Sequence, residues 1–193
     1  SLYQDQGFNF TNQDLKKELN NFFIDRFRYY MKEKQIRFDI IEASISSSSL
    51  NKLFSSFEKA KYLNKIINDQ VGLDIISSFK RASNILDSEM KNREVEITNS
   101  TDPGIFKTEA EKNLYKKIIE INKYYSNINN NENYGQSLLI LAGAKKEIFD
   151  FFDNVKVNEE NETLRKNRLE LINMLCKTFR NFTNFQLIKA NNE

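Results

Sequence analysis

The sequence lacks several residues on which many enzymes and extracellular proteins depend. Its 193 residues include no histidine, no tryptophan, one cysteine, one proline and five glycines. An intrachain disulfide, a Cys/His zinc site and a histidine general base are therefore all excluded. The scarcity of proline and glycine disfavours a turn-rich β fold and is compatible with long uninterrupted helices.

Membrane and secretion signals are also missing. No apolar run approaches the roughly 18 residues that a membrane-spanning helix needs, and no signal-peptide pattern opens the chain. We therefore expect a cytoplasmic protein without a membrane partner. The formal net charge is only +2, from 29 basic and 27 acidic residues. Any binding of nucleic acid must then depend on a local basic patch and not on bulk charge.

Apolar residues recur at helical spacing along most of the chain, which predicts an all-α bundle. The segment 13–193 is expected to be one domain, with 1–12 as a linker or the end of a fragment and 92–103 as the most flexible connection. Expected caps are Thr11, Asp102 before Pro103, and a capping box of Thr108 with Glu111. The first helix should bury a stripe of Leu15, Leu19, Phe22, Phe23, Phe27, Tyr30 and Met31. Further helices are expected near 38–45, 50–67, 75–90, 114–128, 136–152 and 160–182.

Motifs for catalysis are not found. The chain has no P-loop, no GxGxxG, no GxSxG and no paired cysteines. The carboxylates from Glu159 to Glu162 suit the first turn of a helix, where the helix dipole favours negative charge. We therefore expect no catalytic residue, no metal ligand and no cofactor site in this chain.

Two stretches combine cations with aromatic or apolar residues. The first, DRFRYYMKEKQIRFDII (Asp25 to Ile41), contains Arg28, Lys32 and Arg37 among aromatic rings. Such a mixture suits single-stranded RNA, whose bases stack on rings while cations neutralise phosphates. The alternative is an amphipathic helix with core aromatics and solvated or paired arginines. The second, FFDNVKVNEENETLRKNRLELI (Phe151 to Ile172), places an apolar-basic-apolar segment before a helix, and its alternative is a short loop followed by a capped helix.

Together with FFIDRFRYYMKEKQIRFDII (Phe22 to Ile41), FKRASNIL (Phe79 to Leu86) and EAEKNLY (Glu109 to Tyr115), this second stretch resembles a known family. The similarity is to the C-terminal anticodon-binding domain of bacterial glycine–tRNA ligase β subunits, over about Asn20 to Ile188. It differs from the family at Lys156, where a methionine is usual, and in the asparagine-rich segment 126–133.

The resemblance implies a helical domain akin to the anticodon-binding domain of arginine–tRNA ligases. Its partners would be the anticodon arm of glycine tRNA and the α subunit of the ligase. ATP and Mg²⁺ would be used elsewhere in that enzyme, so this fragment alone would not be catalytic. The alternatives are the matching domain of an arginine–tRNA ligase and a helical protein–protein interaction module.

The resemblance also implies that the loop from Asp153 to Asn158 contacts RNA. Asp153, Asn154 and Asn158 are expected to read base edges, with Asp153 accepting from a cytosine amino group, although it could instead cap the next turn. Lys156, Arg165 and Arg168 are expected to hold phosphates, unless one of the arginines pairs with the loop. Val155 and Val157 would anchor the loop in the core or lie under a base. If the loop reads no base, the remaining candidates are Tyr29, Arg37 and Phe38.

Overall fold

The computed structural model describes residues 12–46, 52–93, 97–98, 100–127 and 133–189. These residues form eight α-helices, two short 3₁₀ turns (Pro103–Ile105 and Phe185–Leu187) and no strand, which confirms the all-α prediction. The helices are α1 (Asn12–Glu33), α2 (Phe38–Ser46), α3 (Leu53–Ile66), α4 (Gln70–Arg93), α5 (Glu109–Asn127), α6 (Tyr134–Ala142), α7 (Lys145–Asn154) and α8 (Glu162–Arg180).

Helix α8 is the centre of the bundle. It packs against α4 on one side and α5 on the other, and its segment from Asn167 to Asn173 is buried without interruption. An aromatic cluster closes the core at its C-terminal end, where the Phe79 ring contacts those of Phe179 and Phe185 at centroid distances of 6.0 and 5.9 Å. Burial of this apolar surface is the main term that stabilises the fold.

The caps before α5 are as the sequence predicts. The Thr108 hydroxyl accepts a hydrogen bond from the Glu111 amide at 3.2 Å, and the Glu111 carboxylate accepts from the Thr108 amide at 2.7 Å. This reciprocal pair is a capping box. The Asp102 carboxylate accepts from the Gly104 amide at 2.8 Å, which caps the 3₁₀ turn that begins at Pro103. The predicted cap at Thr11 lies outside the described residues.

One predicted helix is two. In place of a single helix over 136–152, α6 ends at Ala142 and α7 begins at Lys145. A tight turn at Gly143 separates them, in which the Gly143 amide donates to the Leu139 carbonyl at 2.9 Å. The break allows α6 to pack against α3 and α4 while α7 packs against α4 and α5. A helical period in the sequence cannot show such a change of neighbours.

The predicted stripe on α1 is wrong about burial for most of its length. Met31 is fully buried and Phe27 is half-buried. The other predicted members of the stripe have exposed fractions between 40 and 53 %; they are Leu15, Leu19, Phe22, Phe23 and Tyr30. Helix α1 packs mainly against α2, near its C-terminal end, where Met31 is buried and Arg28 bonds to Glu42.

Two residues of the 92–103 connection, Thr98 and Asp102, are hydrogen-bonded to α8. The Thr98 hydroxyl donates to Glu170 at 2.8 Å. Asn167 exchanges two bonds with the backbone of Asp102, at 2.7 and 3.0 Å. The polar groups on this face of α8 thus find partners in the connection, and the flexibility of the segment stays a prediction.

Candidate nucleic-acid interface

The segment between α7 and α8 alternates between core and solvent. Val155 and Val157 are buried, while Lys156 and Asn158 are exposed. Val155 has an extended backbone, with φ −120° and ψ 116°, so successive side chains point to opposite sides. Of the two roles considered for the valines, the structure shows the first, which is anchoring the loop in the core. Lys156 and Asn158 are consequently presented to solvent.

Two predicted loop residues belong to α7 instead. Asp153 and Asn154 lie in the last turn of that helix. Asp153 forms an ion pair with Arg81 of α4 at 2.7 Å, and the Asn154 amide donates to the Asp150 carbonyl at 2.9 Å. Arg81 is not among the site residues predicted from the sequence. Its guanidinium lies over the Phe149 and Phe152 rings, at 5.1 and 5.0 Å from their centroids. The sequence feature that could have indicated it is the pair of adjacent cations Lys80 and Arg81 within the stretch FKRASNIL.

The expectation that Arg168 acts on RNA and not on the fold requires correction. Its side chain is only 5 % exposed and pairs with the fully buried Glu111 at 2.8 Å and with Glu159 at 3.4 Å. It also donates to the Lys156 carbonyl at 2.8 Å. A guanidinium enclosed in this way cannot reach a phosphate at the surface. Arg168 therefore binds the loop to the bundle, which is the structural alternative stated for it.

Arg165 has a similar environment. Its side chain is 11 % exposed, and it donates to the Glu159 carbonyl at 3.2 Å. Glu162 lies 3.8 Å from it. Both arginines of the second stretch thus donate hydrogen bonds to backbone carbonyls of the segment between α7 and α8. The cations that this region offers to solvent are Lys156 and Lys166.

Burial also affects the pKa of Glu111. Desolvation disfavours its carboxylate, but hydrogen bonds from Arg168, from the Thr108 and Lys107 amides and from the Thr108 hydroxyl outweigh it, so the pKa of Glu111 lies below its ordinary value. The carboxylate is therefore charged in the folded protein at neutral pH. The buried pair with Arg168 is ionic, and removing either partner leaves an uncompensated charge.

The arginines of the first stretch are paired as well. Arg28 contacts Glu42 at 2.7 Å and Asp25 at 2.7 Å, and the bond to Glu42 is the main cause of its raised pKa. Arg37 pairs with Asp39 at 2.6 Å and donates to the Lys189 carbonyl at 2.9 Å. These bonds tie α2 to α1 and to the C-terminal segment, in agreement with the structural alternative for the arginines.

Two aromatic residues of the same stretch, Tyr29 and Phe38, do not fit the alternative of aromatic rings buried in the core. Tyr29 is 61 % exposed and Phe38 is 70 % exposed, so neither ring belongs to the core. Lys32 is also exposed, three residues after Tyr29 on α1. Rings and a lysine at the surface are the combination that single-stranded RNA requires, and they keep Tyr29 and Phe38 as candidates for stacking.

The described residues contain no group of three or more potential metal ligands. Burial raises the pKa of the Cys176 thiol to about 12, so this thiol is a poor nucleophile at neutral pH. Among the described helices, none is long and apolar enough to cross a membrane.

Comparison with known proteins decides the family. The model of the DALR anticodon binding domain matches residues 75–192, which is more than half of the chain. The chain belongs to the DALR anticodon-binding domain family. Its matched region contains most of α4 and all of α5 to α8, and with them the exposed loop and the Arg168–Glu111 pair.

Curated relatives extend the similarity toward the N-terminus. The chain is 33 % identical to the glycine–tRNA ligase β subunit of Persephonella marina over 171 residues, which is 89 % of this chain and 23 % of the relative. It is 32 % identical to the corresponding subunit of a Sulfurihydrogenibium species, over 89 % of this chain and 25 % of the relative. For Rickettsia felis the identity is 30 %, over 85 % and 23 %. The chain thus spans about a quarter of the length of these relatives.

Proposed function

We propose that this domain binds the anticodon arm of glycine tRNA within a glycine–tRNA ligase and positions the tRNA for charging. The observation that carries the proposal is membership of the anticodon-binding family, together with similarity over most of the chain to glycine–tRNA ligase β subunits. The polypeptide would operate in the cytoplasm with the α subunit as its protein partner.

The loop after α7 would supply the contacts. Lys156 would neutralise a phosphate, while Asn158 would meet a base edge with its amide. The loop backbone is fixed, because Arg168 binds the Lys156 carbonyl and the two valines are buried. A fixed loop loses little conformational entropy when RNA binds.

Asp153 and Asn154 would contribute from the end of α7. The side chain of Asp153 is 62 % exposed although Arg81 pairs with it, so the carboxylate remains accessible to a cytosine amino group. Arg81 would then orient the carboxylate and add positive charge near the RNA. Arg165 and Arg168 would act only by holding the loop.

The charging reaction would take place on other parts of the enzyme, mainly on the α subunit, with ATP and Mg²⁺ bound there. The 193-residue chain has no histidine and no nucleotide-binding motif. The purified chain should therefore not charge tRNA with glycine. Aminoacylation by the chain alone, above that of a mock preparation, would contradict this division of labour.

The first experiment measures binding of the glycine tRNA anticodon stem-loop to the purified chain between roughly 50 and 200 mM salt. Affinity should fall steeply with salt. Lys156→Ala should weaken binding and reduce the slope of log K against log salt by about one unit. Lys146→Ala, at an exposed position on α7, is the matched control and should leave the slope unchanged. An absence of binding at low salt would overturn the proposal.

The second experiment tests base reading. Alanine at Asp153, Asn154 or Asn158 should weaken binding to the cognate stem-loop more than to one with altered anticodon bases. The loss of discrimination should be about 1–3 kcal/mol. Lys156→Ala should weaken both nearly equally, since a phosphate contact carries no sequence information. Equal losses at Asp153, Asn154 and Asn158 would assign the segment to positioning, and Tyr29, Arg37 and Phe38 would be tested next.

A second candidate function is a helical protein–protein interaction module. One observation favours it, namely that Leu15, Leu19, Phe22 and Phe23 of α1 are exposed along one side of the helix. Such a module need not respond to tRNA, so the salt titration separates the two functions. An arginine–tRNA ligase domain would prefer the arginine tRNA stem-loop in the same assay.

A further inference from the structure

A second basic surface lies outside the segment matched by the family model. The turn after α1 and one face of α3 enclose a cleft of about 380 Å³. We call it the lysine cleft, and its lining residues are Lys34, Ile36, Phe57, Lys61, Asn64 and Lys65. One face of α3 carries Phe57, Lys61, Asn64 and Lys65, because the last three lie four, seven and eight residues after Phe57.

The charge of this cleft is strongly one-sided. Three of its six lining residues are lysines, and none of the six is acidic. One carboxylate lies nearby, since the Glu58 side chain is 3.5 Å from the Lys61 ammonium. The entire chain has a net charge of only +2, so a group of three cations here is a local concentration and not a reflection of composition. Like charges gathered in a cleft repel one another, and an anion within it relieves the repulsion.

Aromatic rings accompany each lysine. The ammonium of Lys34 lies 5.4 Å from the centre of the Tyr30 ring, and that of Lys65 lies 5.6 Å from the centre of the Tyr62 ring. Lys61 lies 6.0 Å from the Phe57 ring. Both tyrosines are about 40 % exposed and can offer a face to an unstacked base. An anion site for free phosphate alone would have no need of these rings.

The backbone at the edge of the cleft is fixed by hydrogen bonds. The Gln35 amide donates to the Lys32 carbonyl at 2.9 Å and the Ile36 amide to the Met31 carbonyl at 3.3 Å, which is the Schellman pattern at a helix end. Asn64 joins this turn to α3, because its side chain accepts from the Arg37 amide at 3.0 Å and donates to the Gln35 carbonyl at 3.4 Å. Lys34 is thereby held opposite Lys61 and Lys65 before any ligand arrives.

We infer that the lysine cleft binds the phosphate backbone of single-stranded RNA, with Tyr30 and Tyr62 as stacking faces for its bases. The inference rests on the proposed function, since the RNA would be part of the same tRNA. It adds a contact region on α1 and α3 to the one on the loop after α7. It also gives the N-terminal helices, which the family model does not match, a role in binding.

The test compares two triple variants of the 193-residue chain. Lys34→Gln, Lys61→Gln and Lys65→Gln remove the charge of the cleft. Lys116→Gln, Lys123→Gln and Lys146→Gln remove the same charge from exposed positions on α5 and α7. The probes are the glycine tRNA anticodon stem-loop, the whole tRNA, a single-stranded uridine oligonucleotide and a poly-glutamate peptide. Melting temperature, measured in parallel, checks that both variants fold.

The cleft variant should bind the uridine oligonucleotide and the whole tRNA at least about tenfold more weakly than the control variant. Its salt slope should fall by about two units, since each phosphate contact with a single strand contributes about 0.7. If the unmodified chain binds no RNA at low salt, both the proposed function and the cleft inference are overturned. If it binds RNA and the two variants are equal, the cleft inference alone is overturned. Loss of poly-glutamate binding with RNA binding intact would assign the cleft to an acidic protein segment, which also overturns it.

Discussion

The start of α8 and the lysine cleft both concentrate positive charge, yet they use it differently. At α8 the enclosed cations are arginines, and Arg168 is 5 % exposed and bonded to two carboxylates and a carbonyl. At the cleft they are lysines at exposed positions, and the carboxylate of Glu58 is 3.5 Å from one of them. Arginine suits the buried position because its planar guanidinium donates in several fixed directions and stays charged.

The difference shows that the number of cations in a stretch does not identify a binding surface. Burial and existing partners decide whether a cation stabilises the fold or remains available to a ligand. By this criterion Arg28, Arg37, Arg165 and Arg168 belong mainly to the fold. Lys32, Lys156 and the three cleft lysines are better placed for RNA.

The largest expected effect is that of Arg168→Ala on stability. Removing the guanidinium leaves Glu111 buried without its cation, and a broken buried pair costs about 3–5 kcal/mol. Denaturant unfolding of the purified variant measures this loss as a lower midpoint. The three cleft substitutions to glutamine, at exposed positions, should together change stability by less than about 1 kcal/mol.

The same measurement can break the comparison. Suppose that Arg168→Ala unfolds at the same denaturant concentration as the unmodified chain and loses tRNA binding. Arg168 would then act on RNA and not on the fold, despite its burial. Arg168→Lys is the informative control, because it retains a charge but cannot bond to Glu111 and the Lys156 carbonyl with a planar fork. It should recover only part of the stability.

A second contrast concerns apolar residues of α8 and α1. Leu171 is fully buried, so Leu171→Ala should cost about 2–5 kcal/mol through lost burial and a residual cavity. Phe27 is only half-buried, so Phe27→Ala should cost less than the 3–5 kcal/mol typical of a core phenylalanine. Phe22→Ala should reduce stability least of the three, because Phe22 is more than half exposed. Unfolding midpoints that reverse this order would show that α1 is more fully packed in solution.

Acidification should lower the stability of the chain by less than the substitutions at Arg168 and Leu171. Because the pKa of Glu111 is lowered in the folded protein, its carboxylate contributes stability at pH values above its ordinary pKa of 4.5. That contribution is lost as pH falls through the lower folded-state pKa. Unfolding measured from pH 6 to pH 3 should therefore show a decrease that is shallower in Glu111→Gln. An identical decrease in both proteins would assign the acid sensitivity to other carboxylates, such as Asp39.

Local rules allowed much of the fold to be predicted from sequence. The capping box at Thr108 and Glu111 was recognisable because both partners lie within one helical turn. The C-terminal ends of α2 and α5 were predicted because a serine-rich and an asparagine-rich segment, respectively, interrupt the apolar spacing. These features depend on neighbours along the chain, which a sequence displays directly.

Long-range partners could not be predicted in the same way. Glu111 meets Arg168 across 57 residues of sequence, and Arg81 meets Asp153 across 72. The sequence therefore placed Arg168 among the phosphate-binding residues and did not select Arg81. The cleft joins Lys34 to Lys61 and Lys65 through the packing of separate helices, so no single stretch of sequence shows all three together.

The smallest expected effect concerns the turn that holds Lys34 at the cleft. Gln35 has φ 59°, and it is the only residue other than glycine with a positive φ in the described part of the chain. A left-handed conformation costs an ordinary residue about 1–2 kcal/mol, whereas glycine adopts it readily at some cost in unfolded-state entropy. Gln35→Gly should thus stabilise the chain by up to about 1 kcal/mol, as measured by denaturant unfolding. RNA binding should stay intact, because the hydrogen bonds at this turn use only the backbone of Gln35. Gln136→Gly, in the first turn of α6, is the control and should destabilise the chain. If Gln35→Gly lowers stability instead, the side chain of Gln35 contributes more than its backbone conformation costs.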